Sequence, residues 1–192
     1  MSGPFDQPAL AVLVEGSRTY RDRAAAAGIR LGVLGSGQRP RVMLIACSDA
    51  RLVPSLITAS RPGEVLELRT HGGVIPRFEP EPHAGEALTI EYAVSTLEFT
   101  DIVVLGHSHC EVVDVDVADR IADGTEPTTW STGDFTAAGH AHVLRQLDIL
   151  SDYACIAPRL ADETLRLHGW YHELETGSTL SYRPHASAFL PL

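Results

Sequence analysis

Two short clusters in the chain bring together side chains able to do chemistry: Cys47-Ser48-Asp49-Ala50-Arg51 and Gly106-His107-Ser108-His109-Cys110. In the first, a thiol is followed two residues on by a carboxylate and two further on by a guanidinium. Arginine grips a carboxylate bidentately, so Arg51 can keep Asp49 ionised and oriented. In the second, a histidine and a cysteine stand two residues apart and can reach one cation from a tight turn. Zinc accepts thiolate and imidazole together, and two cysteines with one histidine leave a fourth tetrahedral position free, the pattern of a catalytic site. Each cluster alone also has a plainer reading. The first could be a buried cysteine beside a surface ion pair, the second a strand-to-helix turn with incidental polar residues. His109 competes with His107 as a ligand, but its place in the turn points it elsewhere, beside the site or at the surface.

The elements that must position these clusters follow from hydrophobic patterning. Residues 41–47 (RVMLIAC) form a continuous apolar run of strand length, as in a strand covered on both faces. Residues 64–70 (EVLELRT) make a second strand, entered through Pro62-Gly63, and residues 101–106 (DIVVLG) a third. Between them come a Pro-rich loop (73–85) and a helix over 85–99. Residues 112–124 read as helix, although their alternation also fits a strand, and 125–139 as a loop leading into a helix over 140–153. A further helix begins near Pro158, and 169–182 form a hairpin turning at Glu175-Thr176-Gly177. The alternation predicts an α/β fold with a mostly parallel central sheet flanked by helices. The chain reads as a single domain over 1–192, with residues 1–30 an N-terminal helical arm. In parallel sheets, sites form at the carboxyl ends of strands. Cys47, the Arg69–Gly73 segment and the Gly106–Cys110 segment all end strands, so they converge on one edge.

Bulk properties narrow the function classes. Of 192 residues, 44% are hydrophobic and 21% charged, which suits a soluble globular domain with a sizeable core. A net charge of −10 without any basic block argues against nucleic acid as a partner. No apolar run approaches a membrane span, and the N-terminus lacks the pattern of a secretory signal, so a cytoplasmic location is expected. Three cysteines, an odd number, speak against a disulfide framework.

Together, C-S-D-A-R and, some sixty residues later, G-H-S-H-C resemble the β-class carbonic anhydrases. The likeness extends through SLITASRPGEVLELRT (55–70), IEYAVSTLEFTDIVVLGHSHC (90–110), HVLRQLDIL (142–150) and LRLHGWYHELETGSTLSY (165–182). It implies zinc held by Cys47, His107 and Cys110, with Asp49 and Arg51 as the catalytic pair beside the metal. The resemblance also implies that Asp49 can serve as a fourth ligand in a closed state. It places Gln38, Leu66, His71, Gly72 and Tyr92 around the substrate. The implied activity is zinc-dependent reversible hydration of CO2 to bicarbonate by activated water, in a homodimer or higher homo-oligomer whose N-terminal helices pack on the partner. A related zinc hydrolase acting on carbonyl sulfide or carbon disulfide, and a zinc-binding scaffold without turnover, are the alternatives.

The chain departs from the family at three places. His71 stands where a small apolar residue is usual, Gly73 replaces an amide side chain, and Glu111 replaces a glycine. His71 could relay protons, reshape the pocket, or serve the fold alone. Glu111 suits the first turn of a helix through its dipole, or its charge disfavours bicarbonate. A serine hydrolase built on Ser108 lacks the last glycine of the nucleophile elbow. A cysteine phosphatase built on Cys47 and Arg51 would need more residues between the two.

Overall fold

The computed structural model describes residues 9–81, 84–114 and 132–192, and these fall into two compact units. The smaller comprises residues 1–38 with 61–63. Among the described residues it holds three helices, α1 (Ala9–Arg18), α2 (Tyr20–Ala26) and α3 (Leu31–Leu34). Arg23 ties α2 back to α1 by donating to the Gly16 carbonyl at 2.7 Å. Leu10 and Leu13 of α1 are 71% and 69% exposed.

The larger unit comprises residues 39–60 and 64–192 and is built on one six-stranded sheet of order β2-β1-β3-β4-β5-β6. Its strands are β1 (Val42–Cys47), β2 (Val65–Thr70), β3 (Asp101–His107), β4 (Arg166–His172), β5 (Thr179–Arg183) and β6 (Ala188–Pro191). The first four are parallel, and β5 and β6 add antiparallel. Around them lie α4 (Pro54–Thr58), α5 (Gly85–Ser95), α6 (Thr132–Ser151) and α7 (Ala157–Ala161), with a 3-10 turn at His71–Gly73.

The apolar runs are covered on both faces, as their continuity predicts. Met43 and Ile45 of β1 join Ile102 and Val104 of β3 in one core, with Ile90 and Val94 of α5 and Val143 and Leu150 of α6. The intervening Leu44 and Ala46 join Val103 and Leu105 in a second core, with Leu52 and Val113. The two-residue period of a strand produces this division. Each fully buried Ile or Leu here contributes about 1.5–3 kcal/mol.

Several elements differ from expectation. Helix α6 starts at residue 132, well before residue 140, because Gly139, which reads as a loop residue, is a contact glycine. A Cβ there would lie 2.6 Å from the Tyr171 ring. Strand β4 begins at Arg166, three residues before the predicted hairpin strand, since α7 is only five residues long. Strand β6 has no counterpart in the pattern, being four residues ending in Pro191. Residues 111–114 are helical, and the remainder of the helix expected over 112–124 lies outside the described residues.

Candidate metal centre

Strands β1 and β3 are parallel neighbours, with Ala46 opposite Leu105, so Cys47 and His107 leave the sheet side by side. The chain then turns at Ser108-His109, where His109 adopts φ 56°, and Cys110 comes back toward the sheet end. The sulfurs of Cys47 and Cys110 and a ring nitrogen of His107 lie within 4.8 Å of one another. All three residues are buried, at 6%, 4% and 2% exposure.

The protonation states suit a cation. The His107 Nδ1–H donates to the Ser108 carbonyl at 2.8 Å, which leaves Nε2 as a bare lone pair. That nitrogen is buried and has no hydrogen-bond partner among the described residues. An orphaned buried acceptor is costly unless something outside the protein satisfies it. Burial holds the His107 pKa below its ordinary value, keeping the ring neutral. Burial pushes the Cys110 thiol up to about 11, and Cys47 beside it adds to that rise. Two crowded thiols and one bare imidazole form a donor set fit for a soft or borderline divalent metal.

Asp49 stands beside this group with both oxygens engaged. Arg51 donates from Nε to Oδ1 at 3.1 Å and from its terminal nitrogen to Oδ2 at 2.7 Å, and its backbone N–H reaches Oδ1 at 2.8 Å. The Arg51 hydrogen bonds hold the carboxyl well below the usual carboxylate range, outweighing the opposing effect of burial. The same guanidinium donates to the His109 carbonyl at 2.9 Å, bridging the two clusters. The backbone N–H of Asp49 points at the Cys47 sulfur, 3.4 Å away.

Two supporting residues escape sequence reasoning. Arg69, at the end of β2, donates to the carbonyls of Cys47, Asp49 and Leu52 at 2.8, 2.8 and 2.7 Å. It thereby fixes the loop that carries Asp49. Ser108 accepts the Leu174 N–H on its hydroxyl at 2.9 Å, while its own N–H donates to the His172 carbonyl at 3.0 Å. The metal turn is thus tied to the end of β4.

A cavity of about 310 Å³ opens over the donors, lined among the described residues by Cys47, Ser48, Asp49, Ala50, His71, Cys110, Glu111 and Val112. His71 and Glu111, two of the departures from the family, therefore face the same space as Cys47 and Cys110. Gly72 is buried behind His71. Leu66 packs against the core, and Tyr92 lies 43% exposed on α5, and neither is among the walls of this cavity. Gln38 belongs to the smaller unit and is exposed there. His109 reaches out to Glu175 at 3.3 Å, away from the donors.

Comparison with known proteins places this arrangement. The profile of the carbonic anhydrase family matches residues 42–132. A carbonic anhydrase of Pseudomonas aeruginosa is 32% identical over 179 residues, covering 83% of this chain and 81% of its own. The structure of the β-carbonic anhydrase CcaA superposes with a TM-score of 0.86 at 28% identity, covering 96% of this chain and all of the other. One of two tetrameric β-carbonic anhydrases from Sordaria macrospora shares the fold, with a TM-score of 0.72 at 20% identity and coverage of 89% and 94%.

Proposed function

As the chain belongs to the carbonic anhydrase family, in its β class, we propose that it binds zinc through Cys47, His107 and Cys110 and catalyses the reversible hydration of CO2 to bicarbonate. The observation that carries this reading is the bare, buried Nε2 of His107 within 4.8 Å of two cysteine sulfurs. When bound, zinc supplies Lewis-acid activation of water near neutral pH, an effect for which carbonic anhydrase is itself the standard example. Two thiolates, from Cys47 and Cys110, would leave less positive charge at the metal than imidazoles would, and so would acidify water less than an all-histidine site.

The chain's own residues do the rest. Asp49 stays ionised under the grip of Arg51 and accepts a hydrogen bond from the attacking water, which aims an oxygen lone pair at the CO2 carbon. A C–O bond forms, one C=O π pair moves to oxygen, and a proton passes to solvent. Ala50 and Val112 supply the apolar part of the cavity wall that suits an uncharged linear molecule. Family likeness assigns substrate contacts also to Gln38, Leu66, His71, Gly72 and Tyr92. The enzyme works as a homodimer or higher oligomer in the cytoplasm. The exposed Leu10 and Leu13 of α1 support association, since such apolar side chains gain from a covering partner.

Stopped-flow CO2 hydration by metal-quantified protein, from mildly acid to alkaline pH, tests the reading. Turnover proportional to zinc content is expected. Zinc-loaded protein that hydrolyses carbonyl sulfide or carbon disulfide but leaves CO2 untouched would overturn the substrate.

A further inference from the structure

Helix α6 reaches the His71–Gly73 turn from behind the metal-facing cavity. His142 donates from Nε2 to the Gly72 carbonyl at 2.9 Å, the carbonyl fixing which partner carries the hydrogen. One helical turn on, Gln146 accepts the Ile75 N–H on Oε1 at 2.9 Å and is only 3% exposed. Residues four apart share one helix face, so both contacts come from a single surface of α6.

The segment they grip needs holding. Gly72 and Gly73 are both left-handed, at φ 69° and 68°. Gly72 lies so close to Val112 that a Cβ would stand 2.8 Å from that side chain, and Gly73 rests on the backbone of β1 at Cys47. Among the described residues, two hollows border the segment. A hollow of about 280 Å³ bounded by Val74, Val112, His142 and Gln146 lies on one flank. Another of about 280 Å³, bounded by Thr70, His71, Val74 and Pro76, lies on the other. Within the segment the Thr70 hydroxyl donates to the Val74 carbonyl at 2.9 Å and the Val74 N–H to the His71 carbonyl at 3.3 Å, and the hydrogen bonds from α6 add anchors at Gly72 and Ile75.

We propose that His142 and Gln146 are positioning residues for turnover: by anchoring the Gly72 carbonyl and the Ile75 N–H, they place the His71 imidazole at the wall of the metal-facing cavity. The assignment rests on the CO2 hydration reading for its kinetic consequence but not for its geometry.

The test uses full-length, metal-loaded protein carrying His142→Ala, His142→Gln, His71→Ala and the double change His71→Ala/His142→Ala. His142→Phe, which keeps a ring but no donor, serves if the alanine variant fails to fold. His142→Ala is expected to lower kcat/KM about tenfold at unchanged metal content, as a small misplacement of an active-site group does. His142→Gln, which retains a donor, restores most of the loss. In the His71→Ala background the same change has little further effect, because both act through one imidazole. Independently of turnover, the His71 ring proton resonance, assigned by its loss in His71→Ala, shifts or broadens in His142→Ala and returns in His142→Gln. An unmoved His71 resonance, additive losses in the double variant, or metal loss in step with activity would each overturn the proposal. A moved resonance in a protein that hydrates no CO2 would uphold the positioning and overturn the CO2 reading instead.

Discussion

At the scale of single residues, the proposed chemistry assigns metal capture and turnover to different side chains, and substitution should separate them. Cys47→Ala removes one of two sulfurs from a three-donor group. It is expected to abolish both bound metal and CO2 hydration, and metal analysis after dialysis checks the first directly. Asp49→Asn leaves the donors intact and should retain metal, while kcat/KM falls about 10²-fold because the ionised acceptor beside the water is gone. Ser108→Ala strips the Leu174 N–H of its acceptor, costing about 1–2 kcal/mol of stability with activity within about tenfold of the parent. A much larger loss of activity with metal still bound would return the nucleophile reading of Ser108. The donors and the Asp49–Arg51 pair are legible in the sequence because each is a spacing of chemically distinct residue types. Arg69 and Ser108 are not legible, since their partners are backbone groups that have no residue-type signature.

At the scale of elements, β1 and β3 are readable because burial on both faces leaves unbroken apolar runs, and β1, β2 and β3 fall within a residue of their predicted limits. Glycine misleads more. Gly139 looks like a loop marker, yet it lies within a twenty-residue helix where α6 meets the buried ring of Tyr171. Gly139→Ala would put a methyl group 2.6 Å from that ring, which is 2% exposed and has no room to withdraw. A destabilisation of about 2–3 kcal/mol is expected, read as a fall in Tm of about 2–4 °C per kcal/mol in thermal unfolding. Strand β6 escapes notice for a different reason. Four residues ending in proline show too little alternation, and only pairing with β5 reveals them.

At the scale of the whole molecule, the two ends of the sheet divide their roles. Opposite the metal end, Asp101 at the start of β3 accepts two hydrogen bonds from Arg166, at 2.8 and 2.9 Å, and one each from His168 and Thr100 at 2.8 Å. Arg166 above all holds its carboxyl well below the ordinary value. A depressed folded pKa contributes stability that is present above the unfolded carboxylate pKa and lost as pH falls below about 4. Asp101→Asn should therefore lower Tm at neutral pH and narrow the difference from the parent in acid, as thermal unfolding at several pH values would show. At the metal end the sign concerns capture instead. The Cys110 thiol, pushed up to about 11, keeps its proton at neutral pH in the free protein, so binding must expel it. Apparent zinc affinity should rise about tenfold per pH unit for each proton released, measurable by chelator competition. The adjacency of β1 and β3 adds a kinetic corollary. Their parallel pairing, fixed by backbone hydrogen bonds, brings the ends of the two strands together, and the turn after β3 returns Cys110 to within 4.8 Å of the other two donors. Folding alone thus assembles the receptor, so removing the ion should leave the circular dichroism spectrum unaltered, and the speed of reloading should be limited by thiol deprotonation rather than by any rearrangement of the chain.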